Sequence, residues 1–167
     1  MRITVGLSCP DTVIPSARDL GHRFVHPFSP TSQLLVATSV QDRAYRSAIS
    51  LGIPVVCPEA IEGEITEDTI KRHRLSIFAG LRLAFSGFHA AERNRLENFI
   101  RENGGSITQM SEASHIVLDP AGIVSHVKRD QKVVKPEWIR ECEDLGWCAN
   151  EKSFLIHPKL KRRSAMR

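Results

Sequence analysis

Four cysteines, Cys9, Cys57, Cys142 and Cys148, are all that this 167-residue chain contains, and none forms a CxxC or stands at metal-ligand spacing from a histidine. That leaves no sequence sign of a zinc site or of a disulfide framework. The thiols read as reduced core or surface groups, which suits an intracellular, reducing compartment. No apolar run approaches the roughly 20 residues that span a bilayer, and the N-terminal MRITVGL lacks a signal-peptide pattern. A soluble intracellular protein or fragment with no membrane partner is expected. The glycines build no phosphate loop, since GLS and SGF have the spacing of neither dinucleotide nor P-loop fingerprints. His22, His26, His73, His89, His115, His126 and His157 are scattered, and none accompanies a Ser, Cys or carboxylate in a nucleophile motif. The expectation is a non-enzyme without cofactor or metal. His115, in a strand that should be buried, reads as a hydrogen-bonded core histidine.

Charge is similarly uninformative about the body of the chain. The net +4 is more than supplied by Lys159, Lys161, Arg162, Arg163 and Arg167, so residues 1–157 total −1. Basicity is confined to a tail, 158–167, whose KLKRR fits either a nuclear-import address or a weak phosphate-backbone contact, or simply a solvated end. With 41% apolar and 25% charged residues, the composition is that of a folded globular protein.

What the chain does contain is an order of segments that occurs twice. From Leu81, strand-like LRLAFSGF runs into ERNRLENFIRENGG, then SHIVLD, then KVVKPEWIRECEDLGW. About 80 residues earlier GLS, a Leu-Gly pair, SQLLVAT, AYRSAISLGIPVV and PEAI follow the same order. In the later copy Leu81, Leu83 and Phe85 alternate with Arg82 and Ala84, the period of a half-buried strand. Leu96, Phe99 and Ile100 recur at helical spacing up to Gly104-Gly105, a helix stop. Ser106–Met110, His115–Leu118 and Lys132–Val134 read as short strands. Asp119–Gly122 is a turn, and Ile123–Arg129 has room for a short helix. Pro136 suits a first helical residue, with Trp138, Cys142 and Leu145 following on one face.

The earlier copy gives the same series more faintly. Ile3, Val5 and Leu7 alternate; a helix is expected from about Val13 to Leu20; Arg23–Val25, Leu34–Ala37 and Pro54–Cys57 are strand-like. Tyr45, Ala48 and Ile49 make a helical stripe ending at Gly52. The polar stretch from Ile61 to Leu81 suggests a reduced last helix and a linker short enough to favour direct packing of the two units. The expected domains are therefore 1–73, 74–157 and the basic tail 158–167.

With SGF, NGG, SHIVLD and PEWI in this order and spacing, the second unit resembles a BRCT domain and the first a diverged copy. More narrowly, IFAGLRLAFSGF followed by AERNRLENFIRENGG resembles the first BRCT pair of the topoisomerase-II-binding replication and checkpoint scaffolds. The resemblance implies an α/β fold: two BRCT repeats, each a four-stranded parallel sheet flanked by helices, packed in tandem. It also implies a phosphate pocket, built in such pairs from a Ser or Thr and the next Gly at the end of the first strand, with a Lys at the second helix. Such a donor set suits a phosphorylated side chain, which adds roughly −1.5 to −2 charge and three acceptor oxygens.

Ser86 and Gly87 stand where the first two belong, although a strand-to-helix turn capped by Ser86 explains them equally well. Gly122 takes the lysine's place, which passes the cation role to Lys128 or Arg129, with Lys128 preferred. In the first unit Ala44 occupies that place, flanked by Arg43 and Arg46. Its hydroxyl is Ser8 if GLS marks the strand end, or missing if Gly6 is the pocket glycine. Both pockets thus depart from the family pattern. The implied partners are phosphorylated Ser/Thr segments of replication or checkpoint proteins in the nucleus. A phospho-independent interaction module and a weak DNA-end binder are the alternatives.

Overall fold

The computed structural model describes residues 1–19 and 21–157. The chain divides into two compact units, Met1–Gly80 and Leu81–Arg167. In the first, β1 (Arg2–Val5), α1 (Val13–Asp19), β2 (Arg23–Phe24), β3 (Leu34–Val36), α2 (Tyr45–Ser50), β4 (Val55–Val56), a 3-10 turn (Pro58–Ile61) and α3 (Glu67–Arg72) follow in order. In the second come β5 (Arg82–Ser86), α4 (Ala90–Glu102), β6 (Ser106–Ile107), β7 (His115–Leu118), β8 (Lys132–Val134), α5 (Glu137–Leu145) and a 3-10 turn (Glu151–Phe154). The sheet orders are β2-β1-β3-β4 and β6-β5-β7-β8, and every pairing is parallel. One topology has been built twice, each time from strands of two to five residues.

Each unit also closes its sheet in the same way. After its last α-helix the chain returns antiparallel to the final strand, at Val56↔Arg74 in one unit and Val134↔Leu155 in the other. In the first unit Cys57 and Leu75 N–H groups donate to His73 and Val55 carbonyls, both at 2.9 Å. Arg74 and Leu75, which the sequence assigns to the second repeat, thereby lie against the first unit's last strand, and that compact unit runs to Gly80.

Several sequence expectations are corrected. β5 is not half-buried: Leu83, Ala84 and Phe85 are all buried, because a parallel strand with neighbours on both sides has both faces covered, the Ala84 face by non-helical Val124, Val127 and Ile156. Leu7 lies beyond β1 and is 75% exposed, so the Ile3/Val5 alternation ends with the strand. Pro136 is the residue before α5, not within it. β6 spans Ser106–Ile107 alone. No helix forms over 123–129. That segment begins just after Pro120 and Gly122 and offers only Ile123, Val124 and Val127 as apolar residues, all β-branched and unfavourable in a helix too short to nucleate. Leu20 and the basic tail lie outside the described residues, and among those described no helix is long and apolar enough to cross a membrane.

On α4, nearly buried Glu97 accepts from Arg93 Nε at 2.7 Å and Arg101 Nη2 at 3.1 Å. Burial pushes its carboxyl up, but the two guanidiniums outweigh burial and hold it below the ordinary 4.5. A lowered folded value means stability present at neutral pH and lost as acid carries the group through that value. Glu97→Gln should destabilise the chain by about 1 kcal/mol at pH 7, two partly exposed i,i+4 pairs being worth little more. Denaturant midpoints should converge as the pH falls past 4.5. A gap that persists in acid refutes the ionic account.

Candidate functional site

The carboxyl end of the first strand of each unit is where the sequence places its chemistry. In the second unit β5 ends at Ser86, paired with Leu118. Gly87 follows at φ +91°, a left-handed backbone that only glycine adopts cheaply. A side chain there would also collide with backbone, since its Cβ would lie 2.4 Å from both Cα and N of Gly122. Gly122 in turn has the Ser86 carbonyl oxygen 2.5 Å from its own Cβ position. Two glycines thus press backbone to backbone at the strand tip. The turn behind them is set by Asp119, whose Oδ1 accepts from Ala121 N–H at 2.9 Å and whose carbonyl accepts from Gly122 N–H at 2.8 Å. Ser86 Oγ donates to the Ile123 carbonyl at 2.9 Å. The hydroxyl is therefore engaged, while Gly87 is exposed.

Lys128 is not brought to Ser86. Its Nζ donates to the Ser111 carbonyl at 2.6 Å, in the loop that leads into β7. Ser86 is registered with Leu118, at the opposite end of that strand. The crossover from β7 to β8 carries Lys128 away from the tip because it runs without a helix and must reach back along the sheet. Gln131 fastens it there, donating from Nε2 to the Met110 and Ala113 carbonyls at 2.6 and 2.9 Å and accepting from Lys128 N–H at 2.9 Å. Buried Val124 anchors the middle of the segment. Arg129 is exposed.

In the first unit, register shows which residues stand at the corresponding places. The carbonyls of Arg2 and Arg82 accept from the residues just before β3 and β7, Gln33 and Ser114, each at 2.8 Å. Counting forward from these equivalent points, Gly6 stands at the place of Ser86 and Leu7 at that of Gly87. The hydroxyl is missing. Ser8 lies farther on, and its Oγ accepts from Thr38 N–H at 3.1 Å. The space at Gly6 is taken by Asp42, whose Oδ2 lies 2.3 Å from a Cβ built on that glycine. This carboxylate accepts from Ser8 N–H at 2.7 Å and from Ala44 N–H at 2.9 Å.

Beside it opens a cavity of about 460 Å³ lined by Val5, Leu7, Pro27 and Phe28, with His26, Arg43 and Ser47. Arg43 is exposed; Arg46 instead lies over the Tyr45 ring, 5.6 Å from its centroid. Burial, and after it the Asp42 carboxylate, pushes the Cys9 thiol up to about 11. Sequence reading missed Asp42, although an Asp two residues before Ala44 at the start of a helical stripe is a recognisable cap signal.

Among the described residues no three His, Cys, Asp or Glu side chains gather as a metal site. Cys57 Sγ and His73 Nδ1 approach to 3.9 Å, and burial followed by Glu59 pushes that thiol up to about 11, so it stays protonated at neutral pH. His115 is the expected core histidine. It is buried, shares a hydrogen bond with Ser114 Oγ at 3.0 Å, and stacks on Trp138.

Two small parallel sheets of identical strand order, each followed by a returning terminal segment, make the chain a tandem α/β repeat. Residues 73–143 match the model of the BRCA1 C Terminus (BRCT) domain, and the two described units have the fold of a tandem BRCT pair. It is similar to the structure of Rad4 BRCT1,2 in complex with a Crb2 phosphopeptide, at 16% identity over 93% of this chain and 97% of that one, with a TM-score of 0.72. The same Rad4 pair in complex with an Mdb1 phosphopeptide is similar at 16% identity over 94% and 97%, with a TM-score of 0.74. Rad4 is a homologue of the topoisomerase-II-binding scaffold, which agrees with the narrower sequence resemblance. None of the curated proteins matches the chain.

Proposed function

We propose that this chain is a non-catalytic scaffold module that binds phosphorylated Ser/Thr segments of checkpoint and replication-initiation proteins in the nucleus. The phosphate settles at the tip of β5, on the Ser86 hydroxyl and the Gly87 amide. The observation that carries this reading is the strand tip itself: a hydroxyl followed by an exposed glycine at φ +91°, the donor pair a tetrahedral anion needs. The likeness to a tandem pair seen with two different phosphopeptides supports it. Binding requires the Ser86 hydroxyl to exchange the Ile123 carbonyl for a phosphate oxygen, a rotation about one bond. Affinity in the micromolar range, weakening with salt, is expected of so few charge-assisted contacts.

Titrating the chain with phosphorylated and unphosphorylated versions of one peptide tests this directly, and equal affinities reject it. Ser86→Ala should weaken phosphopeptide binding at least about tenfold, since a hydrogen bond to a charged group is lost. Lys128→Glu should change it by no more than about twofold, its ammonium being held at the other end of the sheet.

A second reading, a phospho-independent interaction module, is favoured by the engagement of Ser86 with Ile123 and of Lys128 with Ser111. It predicts that Ser86→Ala leaves partner binding intact.

A further inference from the structure

We propose that Asp42 fills the first unit's strand-tip anion site from within, closing that unit to phosphate and leaving phosphate recognition to the second. This deepens the functional reading above and rests on it.

The residues form a matched set. Register puts Gly6 at the place Ser86 holds in the second unit, and a Cβ on Gly6 would lie 2.3 Å from Asp42 Oδ2 and 2.7 Å from its Cγ. A serine at position 6 and a carboxylate at this point exclude each other. The first unit has the carboxylate. Its two oxygens already hold separate donors, the N–H groups of Ser8 at 2.7 Å and of Ala44 at 2.9 Å. Asp42 is only 7% exposed, so solvent does little to screen it from an incoming anion. A phosphate bearing roughly −1.5 to −2 charge would meet a buried like charge and occupied amides, with no hydroxyl at position 6 or 7, although Arg43 and Ser47 line the cavity beside them. The second unit has no such occupant described at its tip: Asp119 turns its Oδ1 to the Ala121 amide instead.

Residue-resolved amide spectra of the full chain, titrated with inorganic phosphate against chloride at equal ionic strength, test this. In the natural chain Gly87 should shift, whereas Gly6, Leu7, Ser8 and Ala44 should not. Asp42→Ala should bring those four amides into the titration, with half-saturation at least about tenfold lower than any response they show in the natural chain. Asp42→Asn keeps an oxygen for the Ser8 or Ala44 amide and removes the charge, and should show the same gain more weakly; where the alanine variant does not fold, it decides alone. Phosphate-specific shifts at Gly6–Ser8 in the natural chain overturn the inference. So does the absence of any gain in folded variants. A silent Gly87 rejects the β5 tip as the phosphate site, while the first-unit amides still decide the role of Asp42.

Discussion

Trp138→Ala is expected to remove about 3–5 kcal/mol from the second unit, most of what a domain this small possesses. The indole is wholly buried and lies flat on His115, the ring centroids 5.1 Å apart at an interplanar angle of 6°. Its Nε1–H donates to the Ala149 carbonyl at 3.0 Å, so truncation opens a cavity and leaves that buried acceptor with only the weaker Cys148 thiol contact at 3.8 Å. Trp138→Phe separates these terms. It keeps much of the ring and loses the hydrogen bond, for a cost nearer ~1–2 kcal/mol. Denaturant unfolding followed on both variants checks the order, and an alanine variant within about 1 kcal/mol of the natural chain refutes the anchor role. The first unit has no counterpart: Ala60, in the short 3-10 turn, is the buried residue at the matching place.

Much of this architecture was legible because it rests on local patterns. Short apolar runs bounded by glycine and proline located seven of the eight strands to within about two residues, and the repeated order of segments implied the shared topology. What failed did so where the third dimension decides. The alternation of Leu81, Leu83 and Phe85 signals a half-buried strand, but Ala84 packs beneath the extended segment that carries Val124 and Val127, and nothing local reveals a second covered face. Ile123–Arg129 has the length of about two helical turns. Its path is set instead by the need to return from Gly122, pressed against Gly87, to the Ser111 loop. The same detour misdirected the search for a cation, because Lys128 is close to Ser86 in a helical crossover and distant in an extended one. Arg43, a cation flanking Ala44 in the sequence, lines the cavity. Asp42, one residue away, bears the sign of charge that an anion site excludes, so its place at Gly6 shows only in three dimensions.

Gly87→Ala should have the largest functional effect of any single methyl group in the chain. Two penalties coincide there. The backbone at φ +91° is unfavourable for any L side chain, a cost of about 1 kcal/mol or more. The added Cβ would also lie 2.4 Å from Gly122 Cα and N, which belong to a main chain already fastened by Asp119 and Ser86 and cannot swing aside as a side-chain tip would. Relief requires the 119–123 turn to lift from β5, which breaks the Ser86 contact with Ile123 and reorients the Gly87 amide. Together these predict a loss of roughly 2–4 kcal/mol of stability and at least about a tenfold loss of phosphopeptide affinity. Gly52→Ala is the control. That glycine also has a positive φ, +67°, but nothing lies within 4 Å of its Cβ position, so only the conformational penalty of about 1 kcal/mol remains and binding should be unchanged. Thermal unfolding and peptide titration on the two variants distinguish strain from collision: equal losses at both positions would show that the Gly87–Gly122 contact contributes nothing.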